Sequence, residues 1–205
     1  MKKILIVLIL CLLTGCSNAS SGFEEYHKSL EYLYNGTNYT IKEIDNNEET
    51  LTIYANGMCY IKDKDSEAYL YEEDLKAYAL VYNEENNIFV RQEIDYDEHL
   101  FYPYEMIERL NKLSAYINMG NLKYKKNIFI GEEFNGTYVY KEKLHTPINI
   151  KVELKDNRIS HLYEKYINDN KEYESNIYIS DYGTSRINLP LNVINLDGLE
   201  IEEIE

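Results

Sequence analysis

Cysteine is scarce in this 205-residue sequence, and its scarcity excludes the small extracellular domains that are held together by disulfide bonds. The chain has three cysteines, Cys11, Cys16 and Cys59, and the first two belong to the N-terminal segment. Cys59 is then alone in the body of the chain, so no intramolecular disulfide can form there. It lies in an apolar, strand-like run with Tyr60 and Ile61, which predicts a buried and unreactive thiol rather than a catalytic one.

The sequence also lacks the motifs that would indicate an enzyme. The four histidines, His27, His99, His145 and His161, have no metal-ligand spacing, which argues against a zinc site. The acidic stretches 72–74 and 95–98 do not follow the calcium-loop pattern and are interpreted as solvated turns. No phosphate-binding loop, dinucleotide fingerprint or nucleophile elbow is present. We therefore predict no catalytic residue, no metal and no cofactor.

No apolar run is as long as a membrane-spanning helix requires, and the longest one lies at the N-terminus. Met1, Lys2 and Lys3 precede ten apolar residues, 4–13. As a helix this run would cover about 15 Å, roughly half of a hydrocarbon core. Small and polar residues follow it directly. A basic start, a short apolar core and small residues at the end predict a removable signal peptide over residues 1–15.

The residues at the end of this segment, Leu13-Thr14-Gly15-Cys16, resemble the lipobox of bacterial lipoproteins. The resemblance implies cleavage between Gly15 and Cys16 and a diacylglyceryl group on the Cys16 thiol. The mature protein would then be anchored by lipid at the extracytoplasmic face of the cell membrane. The alternative is an ordinary secreted protein whose signal peptide happens to contain Cys16.

Acidic residues outnumber basic ones, which excludes some partners. The formal charge is −15, from 21 Lys and Arg against 36 Asp and Glu. Without residues 1–15 the 21 basic residues fall to 19, and the formal charge becomes −17. Such a surface repels nucleic-acid phosphates and anionic lipid headgroups. Nucleic-acid binding is therefore not expected, and the lipid on Cys16 is expected to hold the protein to the membrane.

The remaining chain alternates between helical and strand periodicity. A tether over residues 16–22 leads into an apolar three-and-four spacing that predicts a helix over 23–34, closed by Asn35-Gly36. Six short strands follow, and a second helix is expected from Pro103 to Asn118, with a stop at Gly120. The six strands are predicted at 39–44, 50–55, 58–62, 67–71, 75–82 and 88–94, and the second set at 125–131, 137–141, 148–154, 159–166, 172–179 and 186–193.

This order of elements predicts an α+β fold in a single domain, residues 23–199, followed by an acidic tail over 200–205. It is similar to that of the periplasmic carrier LolA and the mycobacterial-type LppX/LprG lipoproteins. The segment from Ile179 to Pro190, with its Tyr182-Gly183 step, resembles the closing strand of that superfamily. The resemblance implies a large curved antiparallel sheet, an incomplete β-barrel, with helices covering its concave face. It also implies a cavity between sheet and helices for acyl chains or another apolar ligand.

Two functions of different classes are compatible with these patterns. The first is binding of an apolar or amphiphilic ligand between sheet and helices, with lipid as one candidate. The second is a structural or interaction lipoprotein that docks a protein partner at the cell envelope without a ligand cavity. Tyrosine has an apolar body and a polar tip, which suits either a ligand cleft or a half-exposed sheet. The candidate ligand-binding residues are Tyr60, Tyr69, Tyr71, Tyr78, Met106, Leu110 and Leu113.

Overall fold

The computed structural model describes residues 22–195, apart from residues 37, 98–100, 119–121, 133, 135, 141 and 142. The predicted signal peptide, Gly15, Cys16, most of the tether and the acidic tail lie outside the described residues. The same is true of His99 and of the predicted helix stop at Gly120. The signal peptide, the lipid anchor and the domain limits stay predictions.

The first helix, α1 (Phe23–Tyr34), has the predicted bounds. Its buried residues Tyr26, Leu30 and Leu33 follow the three-and-four spacing of an amphipathic helix. The end differs from the prediction, because Asn35 has right-handed backbone angles. Gly36 is required for another reason: a Cβ there would lie 2.5 Å from the carbonyl oxygen of Tyr32. Glycine is therefore needed at this position because the Tyr32 carbonyl oxygen lies close to it, and not because the backbone is left-handed.

The second helix, α2 (Tyr104–Asn118), begins directly after Pro103, as predicted. The Pro103 carbonyl accepts a hydrogen bond from the Ile107 amide at 3.0 Å, so proline occupies the turn where its missing N–H is not needed. The apolar stripe is buried along the described part of the helix. Its members are Met106, Ile107, Leu110, Leu113 and Ile117.

The described residues form thirteen strands. They are β1 (Tyr39–Asp45), β2 (Glu48–Ala55), β3 (Met58–Lys62), β4 (Glu67–Glu73), β5 (Lys76–Asn83), β6 (Ile88–Ile94), β7 (Lys123–Lys125), β8 (Ile128–Glu132), β9 (Tyr138–Tyr140), β10 (Lys143–Lys155), β11 (Arg158–Asn168), β12 (Lys171–Ser180) and β13 (Val193–Asn195). Their order is β13-β6-β5-β4-β3-β2-β1-β12-β11-β10-β8-β7, and β9 pairs with β10. The β1–β12 pair joins the two strand sets. The fold class is confirmed: an α+β protein whose large, mainly antiparallel sheet does not close.

Several strand predictions differ from the structure. The strand expected over 148–154 begins five residues earlier, as β10, and the turn expected at 72–74 is Asp74-Leu75, since Glu72 and Glu73 belong to β4. The expected strand over 125–131 is a hairpin of β7 and β8, turned by Lys126 and Asn127 at φ 52° and 64°. The expected edge strand over 186–193 is only β13, and it pairs in parallel with β6. The cause is the distance that the segment between the two sheet edges must cover. The chain must pass from Ser185, bonded to Thr40 in β1, to Asn192, whose carbonyl oxygen accepts from the Phe89 amide of β6.

The register assigns each side chain to one of two faces, because residues opposite each other in a strand pair share a face. Thr40 is opposite Ile53, which is opposite Tyr60. We call this side the outer face. The neighbouring residue Ile41 lies on the other side, the helix face, where it joins a core built with Leu30 and the other buried residues of both helices.

Candidate ligand cleft between the first helix and the sheet

A cleft of about 530 Å³ opens where the second half of α1 passes the end of the sheet. Four segments form its walls, one of them the loop between α1 and β1, with Asn35, Gly36 and Asn38. Residues Lys28, Glu31 and Tyr32 come from α1, Asn157 and Arg158 from the β10–β11 turn, and Tyr182 and Gly183 from the loop after β12. The cleft therefore lies between a helix and the sheet, at the rim.

Arg158 is the central cation of this cleft. Its guanidinium carbon lies 4.9 Å from the centre of the Tyr32 ring and 5.3 Å from the centre of the Tyr182 ring. Both distances are within the range of a cation–π contact. The guanidinium group therefore contacts both rings.

Tyr182 is a fixed wall of the cleft. Its hydroxyl donates to the Ile159 carbonyl at 2.7 Å, and its ring lies 6.1 Å from that of Tyr39. Burial raises the pKa of Tyr182 above its ordinary value, and the positive charge of Arg158 lowers it by less. The side chain is therefore neutral at physiological pH. Tyr32, in contrast, is 47% exposed.

The local backbone explains why these residues meet. Asp156 and Asn157 have φ of 52° and 58°, the left-handed pair of a two-residue hairpin turn, and Arg158 is the first residue of the returning strand. The opposite wall is tied to β1, since the Gly183 amide donates to the Asn38 carbonyl at 2.7 Å. Gly183 has φ +75°, a conformation that glycine adopts without strain.

The electrostatics of the cleft differ from those of the whole chain. Two cations, Lys28 and Arg158, and one carboxylate, Glu31, line it. Among the described residues, neither cation has a carboxylate within ion-pair distance. A cleft with an excess of positive charge in a protein of formal charge −15 is suited to an anionic group.

The predicted ligand-binding residues fall into two sets on opposite faces of the sheet. Met106, Leu110 and Leu113 are 5%, 1% and 0% exposed and pack in the core on the helix face. Tyr60, Tyr69, Tyr71 and Tyr78 lie on the outer face, by the register that assigns Thr40 to it. The structure brings the four tyrosines together but does not bring the seven residues to one cleft, and none of them lines the cleft at the rim.

The four tyrosines form a cluster with Arg91. The rings of Tyr60 and Tyr69 are 4.7 Å apart, and those of Tyr71 and Tyr78 are 5.6 Å apart. The Arg91 guanidinium lies 3.7 Å from the centre of the Tyr78 ring, and its Nε donates to the Tyr71 hydroxyl at 2.8 Å. A 2.8 Å ion pair with the partly exposed Glu73 completes the arrangement.

Sequence reasoning missed a buried polar network under α2. Arg109 and Glu164 form an ion pair, and both side chains are at most 1% exposed. Tyr138 donates to the same Glu164 oxygen at 2.5 Å, and His145 Nδ1 lies 3.3 Å from it. Burial raises the pKa of Glu164, but the hydrogen bond with His145, the charge of Arg109 and the hydrogen bond from Tyr138 outweigh it. The pKa therefore lies below its ordinary value.

A sequence signal for this network exists at one residue. Arg109 follows Met106 by three and precedes Leu113 by four, so it belongs to the buried stripe of α2 by spacing alone. The other Glu164 oxygen, Oε1, is buried without a hydrogen-bond partner among the described residues. Arg109 also donates to the hydroxyl of Ser175 in β12 at 3.4 Å, so the network links α2 to four strands, and none of its residues lines the cleft.

Cys59 is buried, as predicted, and burial raises the pKa of its thiol to about 12, although a hydrogen bond with Tyr54 lowers it. In the described part of the chain, no three His, Cys, Asp or Glu residues are arranged to hold a metal ion. Neither described helix has the length and apolarity needed to cross a membrane.

Comparison with known proteins gives a structural similarity and no family. No protein-family model matches the chain, and no curated protein matches it. Among solved structures, the crystal structure of LprF from Mycobacterium bovis is similar, with 10% sequence identity and a TM-score of 0.42. The match covers 82% of this chain and 95% of that one.

Proposed function

We propose that this protein is a lipoprotein of the extracytoplasmic face of the cell membrane that binds an anionic amphiphile in the rim cleft between α1 and the sheet. The anionic group contacts Arg158, and the apolar part lies against the rings of Tyr32 and Tyr182. The proposal makes the protein a binding module and not an enzyme.

One observation carries the proposal: Arg158 is held between two tyrosine rings in a cleft of about 530 Å³ and has no carboxylate partner among the described residues. Guanidinium groups bind carboxylates and phosphates through paired hydrogen bonds. The cleft volume is within the range of small-molecule sites. Tyrosine rings supply apolar contact area beside the polar group.

The packing of the core decides where the ligand lies. The side chains of Met106, Leu110 and Leu113 fill the space between α2 and the sheet with those of the opposite strands. A ligand among them would have to displace buried apolar contacts. The rim cleft needs no such displacement, so the proposal keeps the predicted location between helix and sheet but moves it to the end of α1.

The anchor is tested by replacing each N-terminal cysteine. In a bacterial host supplied with labelled fatty acid, the native chain is expected to carry label in its membrane fraction, and Cys16→Ser is expected to lose it. Cys11→Ser is the matched control, since Cys11 lies inside the predicted signal peptide and should leave labelling unchanged. Labelling of Cys16→Ser at the native level would remove the anchor from the proposal.

The cleft is tested with two probes that share one chain length, octyl phosphate and octyl glucoside. The lipidated chain in phosphatidylcholine nanodiscs is titrated by calorimetry, with empty nanodiscs as background. We expect octyl phosphate to bind and octyl glucoside to bind far more weakly. Arg158→Gln should weaken octyl phosphate binding about 10–100-fold, the worth of a hydrogen bond to a charged group.

The matched control is Lys155→Gln, which removes a cation across the same turn but outside the cleft. It should change octyl phosphate binding less than about twofold, since exposed charges contribute little. Equal binding by Arg158→Gln and the native chain would overturn the proposed site.

A second function, docking of a protein partner, is favoured by the tyrosine cluster on the outer face. Tyr60, Tyr69 and Tyr71 are only partly buried and lie side by side, an arrangement typical of interaction surfaces. A native chain that binds neither octyl probe would favour this function over ligand binding.

A further inference from the structure

The start of the described chain lies at one end of the sheet, together with the β7–β8 turn, the β10–β11 turn and the cleft. We call this end of the sheet the tether end. A Cβ at Gly22 would lie 2.5 Å from the side chains of both Phe129 and Tyr124, so the first described residue packs directly on β7 and β8. The β7–β8 turn meets β10 beside the β10–β11 turn, since the Leu154 amide donates to the Asn127 carbonyl at 2.8 Å.

The tether end is less acidic than the chain as a whole. Four lysines are exposed on its two hairpins, and among the described residues none has an ion-pair partner: Lys123, Lys125, Lys126 and Lys155. Arg158 and Lys28 of the cleft add two more cations. The acids at this end are Glu24 and Glu25 of α1, Glu31 in the cleft, Glu153 beside β8, Asp156 in the turn and Asp181 before Tyr182. Six cations therefore stand against six acids here, whereas the chain has 36 acidic and 21 basic residues.

The tether is short enough to determine which end meets the membrane. Six residue steps separate Cys16 from Gly22, and a fully extended chain covers about 3.3–3.6 Å per residue, or roughly 20 Å in all. A lipid on Cys16 thus keeps Gly22, and the β7–β8 hairpin against which it packs, within about 20 Å of the bilayer surface. The opposite ends of the strands, with the β3–β4 and β11–β12 turns, lie a strand length from the tether end.

We propose that the tether end is a membrane-docking surface on which the lysines of the β7–β8 hairpin bind anionic lipid headgroups. Basic groups are attracted to an anionic leaflet only within about a Debye length, roughly 8 Å, a distance that the tether allows. The anionic leaflet repels the acidic remainder of the chain. Attraction at the tether end and repulsion elsewhere therefore favour the same orientation of the protein on the membrane. The cleft then opens at the headgroups, where an anionic amphiphile is available. This inference rests on the lipidation of Cys16 in the proposed function.

The orientation is measured with one fluorophore at either end. Lys155→Cys places a thiol beside a hairpin turn of the tether end, and Lys171→Cys places one beside the β11–β12 turn at the opposite end. Cys59 is buried with a thiol pKa of about 12, so labelling selects the introduced residue. The full-length chain is purified in lipidated form and reconstituted into vesicles that contain lipid with a quencher on its headgroup.

We expect the label at position 155 to be quenched in phosphatidylcholine vesicles containing phosphatidylglycerol, and clearly less in phosphatidylcholine alone. The label at position 171 should stay unquenched in both. Lys125→Gln/Lys126→Gln should reduce quenching at position 155 at least twofold, a loss that high salt reproduces. The control Lys64→Gln/Lys171→Gln removes two exposed lysines from the opposite end and should leave the quenching at position 155 unchanged.

Equal quenching at positions 155 and 171, or quenching at 155 that depends on neither lipid charge nor Lys125 and Lys126, would overturn the docking surface. An intact mass with lipid on Cys16, together with native octyl phosphate binding by Lys125→Gln/Lys126→Gln, would show that the proposed function stands without it. An intact mass without that lipid overturns the docking surface, since the tether argument is lost, and removes the anchor from the proposed function, whose cleft is tested separately by octyl phosphate binding.

Discussion

Glu164 is the residue whose loss we expect to cost most stability outside the apolar core. Glu164→Gln leaves the Arg109 charge buried without its ionic partner, and breaking a buried pair costs about 3–5 kcal/mol. Urea unfolding gives the change in unfolding free energy. The control is Glu153→Gln, which breaks the partly exposed pair with Lys151 and should cost less than about 1 kcal/mol. Similar losses for the two variants would contradict the prediction.

Glu164 also predicts a pH dependence. Its folded pKa is lowered, so below the ordinary glutamate pKa of about 4.3 the unfolded chain binds a proton that the folded chain does not. The stability that Glu164 contributes is therefore complete above that pH and is lost as pH falls through the folded pKa. The unfolding free energy of the native chain should fall more steeply between about pH 5 and 3 than that of Glu164→Gln. Parallel curves for the two proteins would contradict this.

At the residue scale, the sequence predicts which side chains lie on neighbouring strands better than it predicts the face of the sheet on which they lie. The sequence predicts Tyr71 and Tyr78 on neighbouring strands, and the structure pairs them directly. Whether they face the helices depends on which side of the sheet α1 and α2 cover, and the sheet is apolar on both sides at β5, where Tyr78, Ala79 and Leu80 are all buried. Period-two patterning cannot choose a face in such a strand.

At the scale of elements, the hairpin turns predict a stabilising substitution. Two-residue turns of this kind need positive φ at both positions, and Asn, Asp or Gly supplies most of them here. Leu75 is an exception, with φ 65° and a fully exposed side chain. Leu75→Gly should relieve the left-handed strain and raise the unfolding free energy by about 0.5–1 kcal/mol. The measurement is urea unfolding of the two proteins.

Leu191→Gly is the matched control for this change. Leu191 is equally exposed but has no positive φ, so glycine there adds unfolded-state freedom without relieving strain. Its unfolding free energy should stay the same or fall slightly. Stabilisation of both variants would show that loss of an exposed leucine, and not of backbone strain, is responsible.

Elements were predictable where local chemistry determines them. Both helices and the six strands of the first set agree with their apolar periodicity, but the β4–β5 turn is Asp74-Leu75 and not the acidic stretch 72–74. The β7–β8 hairpin was missed because Lys126-Asn127 is a weak turn signal and β7 is only three residues long, two of them exposed lysines. The strand at 186–193 was wrong because the path of that segment depends on two distant anchors, Thr40 and Phe89.

At the scale of the whole molecule, the cleft was beyond prediction from one sequence. Tyr32 lies more than a hundred residues before Arg158 and Tyr182 in the chain and comes to the cleft only because α1 packs across the end of the sheet. A search for motifs cannot find such a site. An arginine at a hairpin turn is unremarkable until the packing of α1 across that turn is known.

The β1–β12 pair makes a prediction about cooperativity. It joins the two strand sets, and the main core includes Ile41 from the first set with Ile177 and Ile179 from the second, so separating the sets would expose buried apolar surface. We expect one unfolding transition in urea. In a chain with Cys11→Ser and Cys16→Ser, Cys59 is the only thiol, and it lies in a smaller core cluster of the first set. Its reactivity towards a thiol reagent should rise at the urea concentration at which far-ultraviolet circular dichroism is lost. Exposure of Cys59 at a clearly lower concentration would show that the first set unfolds separately and that the chain is not a single cooperative domain.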